Sequence, residues 1–96
     1  MRVPLKRNAL TPEPWFLSHF RDKDKVEVDF VLESPSREVI GIEVKAAASV
    51  NSGDFKGLRK LRELVGKRFV TGIALYDGTL ALSFGDGLWA VPLNWL

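Results

Sequence analysis

The spacing of apolar residues changes several times along the chain, and each change marks an element. Residues 15–20 (WFLSHF) are aromatic-rich and strand-like. The polar run 21–25 (RDKDK) reads as a turn, and 26–32 then alternates, with Val26, Val28 and Phe30 on one face and Glu27, Asp29 and Val31 on the other. A second turn over 33–37 (ESPSR) leads into a third strand over 38–46, whose apolar members are Val39, Ile40, Ile42 and Val44. Three strands joined by short polar turns predict an antiparallel meander.

The period then becomes helical. Asn51-Ser52-Gly53-Asp54 is a helix start, with Asn51 or Ser52 as N-cap and Asp54 in the first turn. Phe55, Leu58, Leu61, Leu64 and Val65 recur at helical spacing, and Gly66 is a C-terminal stop. Residues 69–76 (FVTGIALY) are apolar on both faces, as a central strand would be, and the strand–helix–strand connection predicts a crossover onto a parallel neighbour. Asp77-Gly78 reads as a hairpin turn. Residues 80–84 and 88–92 read as two further strands divided by Gly85-Asp86-Gly87, and Leu93, Trp95 and Leu96 as a closing segment. Pro4, Pro12 and Pro14 make residues 1–14 an irregular lead-in. The expectation is one domain over 15–96, an α/β or α+β mixed sheet in the order β-β-β-α-β-β-β, with Trp89, Trp95 and Phe84 packed in the core or at an interface.

Composition narrows the class without deciding it. Ninety-six residues make one small domain, and 46% hydrophobic with 27% charged residues is ordinary for a globular protein. No apolar run approaches the ~20 residues of a membrane span, the N-terminus has no secretory pattern, and the absence of cysteine excludes disulfides and thiolate metal sites. Cytoplasmic residence is expected, without a membrane partner. The formal net charge is only +2, but Lys56, Arg59, Lys60, Arg62, Lys67 and Arg68 cluster with only Glu63 opposing them. Lys56, Arg59 and Lys60 are therefore candidates for contacts to nucleic-acid phosphates, against the equally common reading of a solvated helix face. No aromatic residues interleave with these charges, so base stacking on the helix is not supported.

The charges inside the strands carry more chemistry. Residues i and i+2 share a strand face, so Glu43 and Lys45 point together, flanking Val44, as do Glu27 and Asp29. Pairing of the two strands would set Asp29 across from or diagonal to Glu43. Adjacent carboxylates repel unless a cation intervenes. A hard divalent ion, Mg²⁺ or Mn²⁺, suits oxygen ligands, and a neighbouring lysine can steady developing negative charge or position a water. On this reading Ile42 and Val44 serve the core while Glu43 and Lys45 serve a site. Glu27 reads as an exposed strand residue and His19, the single histidine, as structural.

EVDFVL (27–32) and GIEVKA (41–46), followed by a helix and FVTGIALY, resemble the PD-(D/E)xK, restriction-endonuclease-like superfamily. The wider pattern, with RDKDKVEVDFVLE (21–33), GIEVKAAASVNSGDFKGLRKL (41–61) and GDGLWAVPL (85–93), resembles a domain of unknown function found at the C-terminal end of bacterial and archaeal AAA-type (P-loop) ATPases. The resemblance covers roughly residues 15–96. It implies a restriction-endonuclease-like core, metal ligands at Asp29 and Glu43, and a catalytic lysine at Lys45. It also implies metal-dependent phosphodiester hydrolysis on DNA or RNA, or a module that has kept the fold without the chemistry and docks to an ATPase or to a second copy. Such folds usually begin with a helix that supplies a further acid. Here the proline-flanked Glu13 is a poor stand-in, and no G-x-x-x-x-G-K-[ST] motif occurs. The chain is thus expected to be the tail of a longer protein, lacking the first helix and leaving one sheet face uncovered.

Overall fold

A computed structural model describes residues 15–95 together with the backbone of Val3–Pro4. It is a mixed α+β fold built on one sheet. The strands are β1 (Val3–Pro4), β2 (Phe16–Arg21), β3 (Glu27–Glu33), β4 (Val39–Lys45), β5 (Phe69–Tyr76), β6 (Leu82–Ser83) and β7 (Leu88–Pro92), with the helix α1 (Lys56–Val65) between β4 and β5. They lie in the order β1-β2-β3-β4-β5-β7-β6. The β2–β3–β4 meander is antiparallel, β4 and β5 are parallel across the α1 crossover, and β5 and β7 are parallel as well. Apart from Val3–Pro4, the lead-in expected over residues 1–14, Glu13 included, lies outside the described residues.

The expected hairpin at Asp77-Gly78 does not form. Strand β7 lies between β5 and β6, so the residues after Tyr76 pass to the far side of β7. The hairpin is instead β6–β7, turned by Gly85-Asp86-Gly87, all three in the left-handed region. The strand expected over 80–84 shrinks to Leu82–Ser83 because Leu80 serves another purpose: its carbonyl accepts from the Tyr76 hydroxyl and ties down the connection.

The helix starts as its sequence requires. The Asn51 side chain accepts from the Gly53 N–H, and the Asp54 carboxylate accepts from the Asn51 N–H, a reciprocal cap on a 3-10 turn (Ser52–Phe55) that runs into α1. Phe55, Leu58 and Leu61 are buried against the sheet, each contributing about 1.5–3 kcal/mol of apolar burial. Phe55 also stacks on Phe84, with ring centroids 4.6 Å apart. Leu64, placed on the same stripe by its spacing, is 60% exposed.

The helix lies close because β4 makes room for it. A Cβ at Gly41 would come within 2.7 Å of Leu58 Cδ2 and 2.9 Å of Leu61 Cδ2. The covered face accordingly holds Val28, Val31, Val39, Ala74, Leu88 and Ala90 in one core with Phe55, Leu58 and Leu61.

Two expectations about facing are corrected. The alternation in β3 breaks at a bulge: Ser18 pairs with Val31 but Phe20 with Val28, so Asp29 and Phe30 together stand opposite His19. Val28 and Val31 both turn to the core, while Phe30 turns away and is 43% exposed. In β4 the roles of the two faces are reversed. Glu43, in step with Val39 and Gly41, lies on the helix-covered face and is buried, whereas Ile42 and Val44 point to the opposite face. Across that opposite face the registers align Phe30, Ile42, Ile73 and Trp89 in one row. Leu32 and Ile40 lie to one side of the row, and Val44, Leu75 and Val91 to the other. No helix among the described residues packs on it. Trp89, expected in a core or interface, sits here at 43% exposure, and Trp95 is exposed beyond the end of β7.

Candidate functional site

The acidic and basic residues singled out in β3 and β4 meet at the end of the meander. The β3–β4 pairing runs out at Phe30 and Ile42, one step before Asp29 would face Glu43. Asp29 fills the gap with its side chain: Oδ2 accepts from the Val44 N–H at 2.9 Å, taking a bond that a strand backbone would otherwise supply. Its carboxylate is thereby oriented by the bulge.

Glu43 is held differently. Its side chain lies under the first turn of α1, where Gly57 crosses β3 so closely that a Cβ would stand 2.1 Å from the Glu27 carbonyl oxygen and 3.4 Å from Glu43 Oε1. Only a glycine allows the helix backbone to rest there. Lys45 Nζ lies 3.4 Å from Glu43 Oε2 and is the one ion-pair partner of this carboxylate among the described residues. Burial pushes the Glu43 carboxyl above its ordinary value of 4.5. The Lys45 ammonium opposes that shift, while the charges of Asp29 and Asp54 add to it.

Asp29, Glu43 and Lys45, separated by up to sixteen positions, are thus brought into one electrostatic cluster. Among the described residues no group of three or more His, Cys, Asp or Glu side chains comes together to hold a metal. Asp29 and Glu43 would offer two carboxylates. That number fits Mg²⁺, which commonly takes one or two protein carboxylates and fills its remaining positions with water and substrate phosphate.

An open groove of about 610 Å³ runs between the β2–β3 turn and α1, lined by none of Asp29, Glu43 and Lys45. Lys56, Arg59 and Lys60 line it, but so do Asp22, Asp24 and Glu63. The groove is therefore of mixed sign. The Arg59 guanidinium is committed locally, donating to the Ser52 carbonyl at 2.7 Å and the Ser52 hydroxyl at 2.9 Å. Asp22 is also structural: its carboxylate accepts from the Asp24 and Val26 N–H groups and shapes the turn. Lys56 and Lys60 are the candidates best placed to reach a bound phosphate.

A family model described as "Domain of unknown function (DUF4143)" matches residues 4–96. The chain is a DUF4143 domain. No curated protein and no solved structure matches it. In this DUF4143 domain Glu27 is exposed and paired with Arg21 at 3.3 Å, a surface ion pair away from Glu43. His19 stands opposite the bulge, with Nδ1 3.5 Å from the Asp29 carbonyl oxygen, close to the backbone of the cluster rather than to its carboxylates.

Two contributors to the DUF4143 cluster were not singled out from sequence. Gly57 was a visible signal, since a glycine in the first turn of a helix costs about 1 kcal/mol against alanine and invites a reason such as a close backbone approach. Sequence marks Asp54 as a first-turn acid of the helix, and its field at Glu43 depends on how α1 docks. No helix among the described residues is long and apolar enough to cross a membrane.

Proposed function

We propose that Asp29, Glu43 and Lys45 form a PD-(D/E)xK-type site for metal-dependent phosphodiester hydrolysis on DNA or RNA. The observation that carries this reading is the shared cluster at the end of β3 and β4: a buried carboxylate paired to a lysine, with a second, exposed carboxylate beside it. Asp29 and Glu43 would hold Mg²⁺ or Mn²⁺, which when bound polarises a phosphate and acidifies a water. Lys45 sits where an ammonium can stabilise charge developing on a phosphate oxygen or orient the attacking water. Lys56 and Lys60 would steady the phosphate backbone along the groove.

The test is cleavage of plasmid and oligonucleotide substrates with added Mn²⁺, run beside thermal melting with the same ion. The expected result is cleavage abolished in Asp29→Ala and Lys45→Ala, and an ion-dependent rise in melting temperature that Glu43→Ala lacks. Cleavage that persists in both variants is contamination and sinks the reading.

A second reading is favoured by a separate observation, the apolar sheet face that no helix among the described residues covers. On this reading the restriction-endonuclease-like fold serves as an interaction module, docking to a P-loop ATPase or to a second copy. An exposed apolar area of this kind commonly marks an interaction surface. Ion-independent melting together with full retention of partner binding in Glu43→Ala would favour it.

A further inference from the structure

We infer that the open sheet face is the self-association surface of this domain, packing sheet to sheet against a second copy about a two-fold axis parallel to the strands between β4 and β5. The inference rests on the interaction-module reading and names its partner.

The area comes first. Phe30, Val44 and Trp89 each keep more than two fifths of their surface exposed. With their half-buried neighbours they present about 500 Å² of apolar surface, within the roughly 300–600 Å² of the largest patch on a typical monomer. Two such faces bury about 1,000 Å², the lower bound of a specific association.

Charge comes second. The rows drawn from β3, β4, β5 and β7 carry no ionisable side chain; at the flanking β2 edge His19 stands beside Phe30, and Arg21 and Glu27 pair with each other, so the face offers no unbalanced cluster of charge to a partner. An apolar face of this kind is matched by its own copy, because an isologous contact needs a patch to be complementary only to itself.

The order of the central row also suits a two-fold. Phe30, Ile42, Ile73 and Trp89 lie on β3, β4, β5 and β7, four adjacent strands of the sheet. A two-fold axis along the strands between Ile42 and Ile73 exchanges the ends of the row. Phe30 then faces Trp89 of the second copy, and Ile42 faces Ile73. Each aromatic ring thus meets the other kind of ring, and the β-branched pair meets at the centre. Aligned sheet packing of this type holds the two sheets about 10 Å apart with mean strand directions within about 30° of each other, which an axis along the strands satisfies.

The test uses the full 96-residue chain, which has no cysteine of its own. Sedimentation equilibrium from micromolar to millimolar loading should show a dimer. Phe30→Glu and Trp89→Glu, both at exposed positions, should each weaken it at least about tenfold, with far-UV circular dichroism unchanged. The geometry is read by mixing Phe30→Cys chains with Trp89→Cys chains and adding a short bis-maleimide. The mixed pair should cross-link in preference to either like pair, because two Phe30 positions would stand about three strand spacings, roughly 14 Å, out of alignment. A dimer that is unmoved by the two glutamates, or that cross-links without preference, overturns the proposal. So does a monomer at every loading, and a hydrophobic dye then separates the two failures. Dye binding lost in the glutamate variants retires the second copy but keeps an interaction surface, whereas no difference in dye binding retires both.

Discussion

The two faces of one sheet make opposite use of similar residues. On the face under α1, Gly41 and Gly57 bring helix and strands together, and even a carboxylate, Glu43, is buried. On the other face, isoleucine, valine, phenylalanine and tryptophan stand partly in water. Apolar character alone therefore does not decide which residues of a strand form the core. The decision lies with the element that can approach, and the approach is set by the smallest residues.

Matched truncations on the two faces should break or sharpen this contrast, starting with the largest effect. Phe55→Ala removes a fully buried ring from the covered side and should cost about 3–5 kcal/mol in urea denaturation. Phe30→Ala, its counterpart on the open side, should cost the monomer about 1 kcal/mol or less. Equal losses would mean that the open face is covered in the folded monomer. Gly57→Ala comes next, because its methyl would collide with the Glu27 carbonyl. It should lose about 1–3 kcal/mol even though alanine favours a helix, read as a lower urea midpoint at unchanged slope. A stabilised variant would show that the helix sits higher on the sheet.

Asp29→Ala should cost about 0.5–1 kcal/mol through loss of its exposed hydrogen bond to the Val44 N–H, which water can partly replace. Asp29→Asn, which keeps a side-chain oxygen, should recover part of that loss. If both variants behave alike, the acceptor role of Asp29 is wrong. The smallest effect concerns Glu43. Its carboxyl is held above the ordinary value of 4.5, so the folded chain keeps a proton that the unfolded chain releases. Between the ordinary and the raised value, stability then falls as pH rises. Glu43→Gln is spared that fall, so its melting temperature should gain on the wild type through this window and differ least below it. A wild-type advantage that widens with pH would contradict the burial of a strained charge.

Much of the fold was legible before the structure. Strands β5 and β7 occupy 69–76 and 88–92 as their apolar runs and flanking glycines indicated, and the cap at Asn51 and stop at Gly66 bound the helical region. The parallel β4–β5 crossover followed from the length of the intervening segment. Pairing between strands distant in sequence was less accessible. Nothing local to Asp77-Gly78 reveals that β7 will take the place beside β5. The bulge at Asp29 and Phe30 has no glycine to announce it, yet it separates Phe30 from Val28, which the alternation puts on the same face. In the candidate site, the i, i+2 spacing of Glu43 and Lys45 and the turn between β3 and β4 made the cluster legible. The burial of Glu43 was not, because it depends on a backbone contact at Gly57, which lies fourteen positions away.

That contact also governs how anything reaches the cluster. Where α1 meets β3, backbone lies against backbone, with no side chain between them to swing aside. The helix is a fixed roof over Glu43. No side-chain rotation on the helix can uncover the Glu43 carboxylate from above, so the side chain that meets it is Lys45, 3.4 Å away on the same strand.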